Sequence, residues 1–179
     1  MRALRIFPAA LALAATPAAA ESELGFTLPA EICIEERADA EIAGTYLGSI
    51  IDRSFPKDKA DKLQADFTAL ADACIAKHGE LSKSPLFVIE LVVAKILRNE
   101  AMRRLAARGV DPAWLSATVD RARIAAGGDF NRTMTTVGEA LRDAPLEVVP
   151  LNIEGLGILV SGYTHSTIRM ARLMAQTSP

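Results

Sequence analysis

Residues 84–109 read SPLFVIELVVAKILRNEAMRRLAARG, and the fold turns on whether this stretch is a strand or a helix. Its first half, Leu86 to Leu97, is apolar on nearly every side, a pattern shared by buried strands and buried helices. Three features decide for helix. Ser84 followed by Pro85 is a cap and a first-turn proline. No turn residue interrupts the run. It then passes unbroken into RNEAMRRLAARG, which is made of strong helix formers. The helix is expected to reach about Arg108, with Gly109 as its stop. A helix apolar all round belongs at the centre of a bundle.

The flanking segments follow the same logic. On the N-terminal side, Ala60, Leu63, Phe67, Leu70, Ala71, Cys74 and Ile75 fall on one helical face, predicting a helix from about Lys57 to His78 with Gly79 beyond it. Ser54-Phe-Pro56 separates it from an earlier helix, about Pro29 to Arg53. That helix carries Ala40, Gly44, Leu47 and Ile51 on its apolar face, and Glu31, Glu35 and Glu36 in its first turns, where the helix dipole favours acids. On the C-terminal side, Asp111-Pro112 repeats the cap-plus-proline start, for a helix to about Ala126 closed by Gly127-Gly128. A fifth helix spans Phe130 to Arg142, with Asp129 as its cap. After a loop marked by Pro145 and Pro150, a last helix runs from about Asn152 to Ala175. Glycines at 155, 157 and 162 weaken its first half and suggest close packing against the central helix. No segment alternates as an exposed strand does. The expectation is an all-α fold, a small bundle of five to six helices.

Cys33 and Cys74 are the two cysteines of the chain. If the first two helices form an antiparallel hairpin turning near Arg53–Ser54, facing residue numbers add to about 107, as those of Cys33 and Cys74 do. The same rule pairs Ala40 with Phe67, Gly44 with Leu63 and Leu47 with Ala60, each a large side chain against a small one. Helix axes about 8–10 Å apart bring inward-facing Cα atoms to roughly 3.4–5.4 Å, overlapping disulfide geometry. The bundle is therefore expected to open with a disulfide-stapled antiparallel αα-hairpin. The rival, two thiols poised for redox work, lacks adjacent cysteines or a strong cation beside Cys74.

A disulfide implies an oxidising compartment, and the first 20 residues supply a route to one. Met1 to Arg5 is basic, Ile6 to Ala15 is apolar and uncharged, and Ala18-Ala19-Ala20 offers small residues for a signal peptidase. The apolar run is far shorter than the roughly 20 residues of a membrane span. Cleavage after Ala20 takes 179 residues to 159, one domain (21–179), with 18 basic against 22 acidic residues, net −4. The Ala- and Arg-rich composition suggests a bacterial source and hence a periplasmic or secreted protein, with no membrane span in the mature chain. Residues 21–80 carry a net −7 and residues 81–179 a net +3, too little positive charge for a nucleic-acid surface.

No catalytic constellation emerges. His78 and His165 are the two histidines, without HExxH or zinc-spaced cysteines, so neither a metal nor a cofactor is expected. His78 suits a helix C-terminus. His165 lies beside Ser161 and Ser166, but no GxSxG surrounds either serine. GGDFNRT starts like a calcium loop and then fails, with Met134 and Ala140 at positions needing glycine and glutamate. Glu90 stands among Leu86, Phe87, Val93 and Ala94, so a buried carboxylate would need a cation: Arg98, or an arginine of the helix that starts at Pro112 or of the last helix. The alternative is a narrow solvent stripe through Lys83, Glu90, Ala94 and Arg98. Lys95, Arg98, Arg103, Arg104 and Arg108 read as a solvated, dipole-complementing helix end. Trp114 reads as core.

Two functions from different classes are compatible with this. The first is an exported, non-enzymatic protein that binds another protein through a helical face. The second is a small-molecule carrier with a pocket between the central and C-terminal helices, around Glu90 and Tyr163. The candidate binding residues are Glu90, Arg98, Tyr163 and His165. Partner and oligomeric state are not encoded in any recognisable motif.

Overall fold

Ser84, Asp111 and Asp129 each accept a hydrogen bond from a backbone N–H three residues on, those of Phe87, Trp114 and Arg132. The three helices they start are Pro85–Ala106, Pro112–Ala125 and Phe130–Arg142. A computed structural model describes residues 22–42, 57–150 and 155–176, and the regular elements among these are all helical, with no strand. In chain order the helices are α1 (Pro29–Arg37), α2 (Lys57–His78), α3 (Pro85–Ala106), α4 (Pro112–Ala125), α5 (Phe130–Arg142) and α6 (Leu156–Ala175).

α3 is the spine. Val88, Leu91, Val92, Ala94, Lys95, Ile96, Ala101 and Leu105 are buried along it, so burial runs round the helix. Its most extensive partner is α6. Two core clusters sit along the pair. The first joins Ile34, Phe67, Leu70, Ala71 and Cys74 from α1 and α2 to the first half of α3 and to Met170 and Leu173. The second joins Ala101 and Leu105 to Leu115, Val119 and Ala122 of α4, Val137 of α5, and Leu159, Val160 and Tyr163. The end of α6 thus meets the start of α3, so the two run antiparallel. Trp114 packs, half-buried, on the second cluster, as expected of a core residue.

Three expectations need correction. The first helix does not run as one α-helix past Arg37: it widens into a π-helical turn at Ala38–Ile42. That turn carries Asp39, whose carboxylate is drawn to a buried lysine described below. The rest of the first helix and its hairpin turn, with Gly44 and Leu47, lie outside the described residues, and so do the side chains of Ala40 and Ala60 on which the other pairings depend. The last helix begins at Leu156 rather than Asn152. Gly155 is its N-cap and takes φ +70°, a left-handed conformation that a side chain opposes. A Cβ placed on Gly157 or Gly162 would meet nothing within 4 Å, so these glycines do not mark close packing against α3. The close glycine is Gly109, at φ +86°, where a Cβ would stand 2.9 Å from Pro150 Cγ. There the loop after α5 returns to the α3–α4 corner, fixed by a 2.8 Å bond from Asp111 N–H to Val148 O.

Candidate functional site

Cys33 and Cys74 form a disulfide with Cα atoms 5.8 Å apart, a little wider than ideal facing helices predict. Both sulfurs are thus used, which removes the redox-thiol reading. The bridge is one of three ties on α1. Glu31, 2% exposed, accepts from the N–H of Ser82 at 2.8 Å and from its hydroxyl, holding the loop before α3.

The third tie was not anticipated. Lys95 does not belong to the solvated basic end of α3. It is 4% exposed, and its ammonium donates to Glu35 and Asp39, each at 2.8 Å. Glu23 stands 3.5 Å away. Burial by itself would lower the Lys95 pKa; the hydrogen bonds to Asp39 and Glu35, with their charges, overcome that and raise it above the usual lysine value. Glu35, itself 3% exposed, also accepts from Ser22 Oγ, which in turn accepts from the N–H groups of Leu24 and Phe26. The network therefore pins the leading segment and α1 onto α3. A cavity of about 90 Å³ lies beside it.

The four residues expected to bind do not form one site. Glu90 is about one-third exposed and pairs at 3.0 Å with Arg169 of α6, as foreseen for an arginine of the last helix. Arg98 donates to the side chain of its neighbour Asn99. Tyr163 is 5% exposed in the second core cluster, away from the Glu90–Arg169 pair. His165 is exposed and meets the Phe130 ring edge-on at 5.5 Å. The basic end of α3 is largely neutralised: Glu100 receives Arg103 and Arg104, and the Arg103 bond outweighs burial to hold its carboxyl below the usual range. Arg108 donates to the carbonyl of Arg104.

A concavity appears elsewhere, where the end of α4 and the Gly127-Gly128 turn lie beside the end of α6. It is about 280 Å³ in volume. Ile124, Ile168, Ala171 and Ala175 supply the apolar part of its lining, and Arg123 and Arg172 line it as well. Ile124 is 70% exposed. Arg172 donates to the Gly128 carbonyl at 2.8 Å, fastening the turn to α6. No residue pattern here reads as a nucleophile with its base, and among the described residues no three His, Cys, Asp or Glu side chains gather as metal ligands. Among them, too, no helix is long and apolar enough to cross a membrane. Scans of protein-family models, of characterised proteins and of solved structures find no match to this chain.

Proposed function

We propose that the protein is exported, loses its first 20 residues, and acts without catalysis by binding another protein through the groove between α4 and α6. The observation that carries this reading is Ile124, a large apolar side chain left 70% exposed in the lining of a partly apolar cleft. A single exposed isoleucine is ordinary on a protein surface. One that lines a cleft together with Ile168, Ala171 and Ala175 offers a partner both a pocket and an anchor, the usual centre of a protein interface. The disulfide supports the oxidising compartment. We further propose that α1 and α2 pair as an antiparallel αα-hairpin; the Cys33–Cys74 bridge between them supports this.

The carrier reading has less to rest on. Its two named residues sit in different clusters, with Tyr163 packed in the core and Glu90 paired to Arg169 at the surface. The test compares proteins retained from periplasmic extract of the native host by the wild type and by Ile124→Asp. A discrete protein retained by the first and lost by the second, with both baits equally folded by circular dichroism, is the expected outcome. Identical retention by both sinks the groove reading.

A further inference from the structure

We propose that the α4–α6 groove takes an acidic segment of the partner protein: an apolar side chain on the apolar part of the lining and a neighbouring carboxylate at the guanidinium groups of Arg123 and Arg172. This rests on the protein-binding reading above and adds the partner's chemistry.

Charge is the first ground. The groove is lined by two arginines and by no carboxylate. The acid described near Arg123 is Asp120, half-exposed, at a loose 3.5 Å. Arg172 donates to a neutral carbonyl, that of Gly128. Arg172 thus brings a positive charge to the lining with no carboxylate among its described partners, while Arg123 shares its charge with Asp120.

The second ground is the state of Arg123. Its Nε is buried and has no hydrogen-bond partner. A donor covered in that way loses its water and gains nothing in return. A carboxylate at the rim offers the guanidinium two parallel acceptors, one for Nε and one for a terminal nitrogen. Reaching that pair of acceptors requires the head group to turn outward, and the Nε–H then gains the acceptor it lacks in the fold.

The apolar part of the lining decides between ligand classes. Ile168, Ala171, Ala175 and Ile124 add nothing for a small inorganic anion, and no aromatic ring is present for a nucleobase to stack on. A peptide carrying an apolar residue next to Asp or Glu uses both halves of the groove. The groove lies within residues 81–179, net +3, and not within the net −7 of residues 21–80.

The probe is a phage-displayed library of random peptides about a dozen residues long, selected on the oxidised protein lacking residues 1–20. Enriched clones are expected to place Asp or Glu within a few positions of Leu, Ile, Met or Phe. A synthetic peptide of the leading clone should bind roughly tenfold more weakly to Arg123→Gln and to Arg172→Gln, and more weakly as salt rises. Far-UV circular dichroism and an intact disulfide establish that both variants are folded; Arg172, being exposed, is the safer of the two. Neutral or basic clones, or clones indifferent to both arginine substitutions, overturn the proposal. If such clones still lose binding to Ile124→Asp, the acidic chemistry falls while the protein-binding groove stands. No enrichment, with no partner retained from extract, overturns both.

Discussion

Replacing Lys95 with methionine removes a buried cation while nearly keeping its volume. What remains is the Glu35 carboxylate, 3% exposed, with Ser22 Oγ as its other side-chain donor in the network. Asp39 is 42% exposed and can turn to water, so its loss adds at most about 1 kcal/mol. Glu35 cannot do so without opening the α1–α3 contact. Breaking a buried pair from one side costs about 3–5 kcal/mol, because the abandoned charge stays desolvated. Most of that should appear in the single variant. Removing both charges with Lys95→Met and Glu35→Leu leaves no orphan ion, and such replacements are commonly neutral or stabilising by about 1–4 kcal/mol. The double variant should therefore be at least as stable as Lys95→Met and well above the sum of the two single losses. Urea unfolding of the oxidised protein at neutral pH, followed by circular dichroism, measures all four corners of the cycle. A Lys95→Met loss under about 1 kcal/mol, or additive single losses, would refute the claim that this pair is a desolvated unit.

Three further predictions use the same unfolding assay. Reducing Cys33–Cys74, whose positions are 41 apart, should cost about 4 kcal/mol in the chain-entropy estimate, and the Cys33→Ala/Cys74→Ala variant should no longer respond to reductant. The raised Lys95 pKa stabilises the fold fully below the unfolded value of about 10.5 and is lost as pH rises through the higher folded value, so Lys95→Met should flatten the alkaline decline; Glu100, lowered by Arg103, acts in the opposite window and loses its contribution as pH falls below about 4.5. Gly109→Ala combines a left-handed φ with a Cβ 2.9 Å from Pro150 and should lose about 1–3 kcal/mol, whereas Gly138→Ala, inside α5 with open space around it, should gain up to about 1 kcal/mol.

What could be read from the sequence follows the range of the interactions involved. Helix starts at Pro85, Pro112 and Phe130 depend on the residue just before each, whose side chain accepts from an N–H three residues on, so Ser84, Asp111 and Asp129 announce them locally. The disulfide was legible because Cys33 and Cys74, the two cysteines of the chain, fall on two neighbouring helices, α1 and α2. Lys95 was not. Its sequence neighbours include Arg98 and Arg103, which made it look like one more surface cation, while its partners lie 56 and 60 residues away. The signal was present: Leu91 and Val92, one turn back, are as apolar as the surroundings that drew attention to Glu90. In a helix apolar on every side, periodicity does not say which of two charges faces inward, and here Lys95 is buried while Glu90 reaches Arg169 at the surface. The π turn at Ala38–Ile42 was hidden for a related reason, since the residues that widen it are ordinary helix formers. The groove was invisible because Ile124 gains meaning only beside Ile168 and Ala171, and that juxtaposition exists only once the fold brings the ends of α4 and α6 to one concavity.

The reading that matters most is that a partner protein seats on the α4–α6 groove, and site-specific photo-cross-linking in the native host tests it at residue resolution. A benzophenone side chain at position 124 should yield a discrete adduct with one protein, reduced at least tenfold by Arg172→Gln, while the same probe at exposed position 138 on α5 yields none. Equal cross-linking from both positions, or none from position 124, would contradict it.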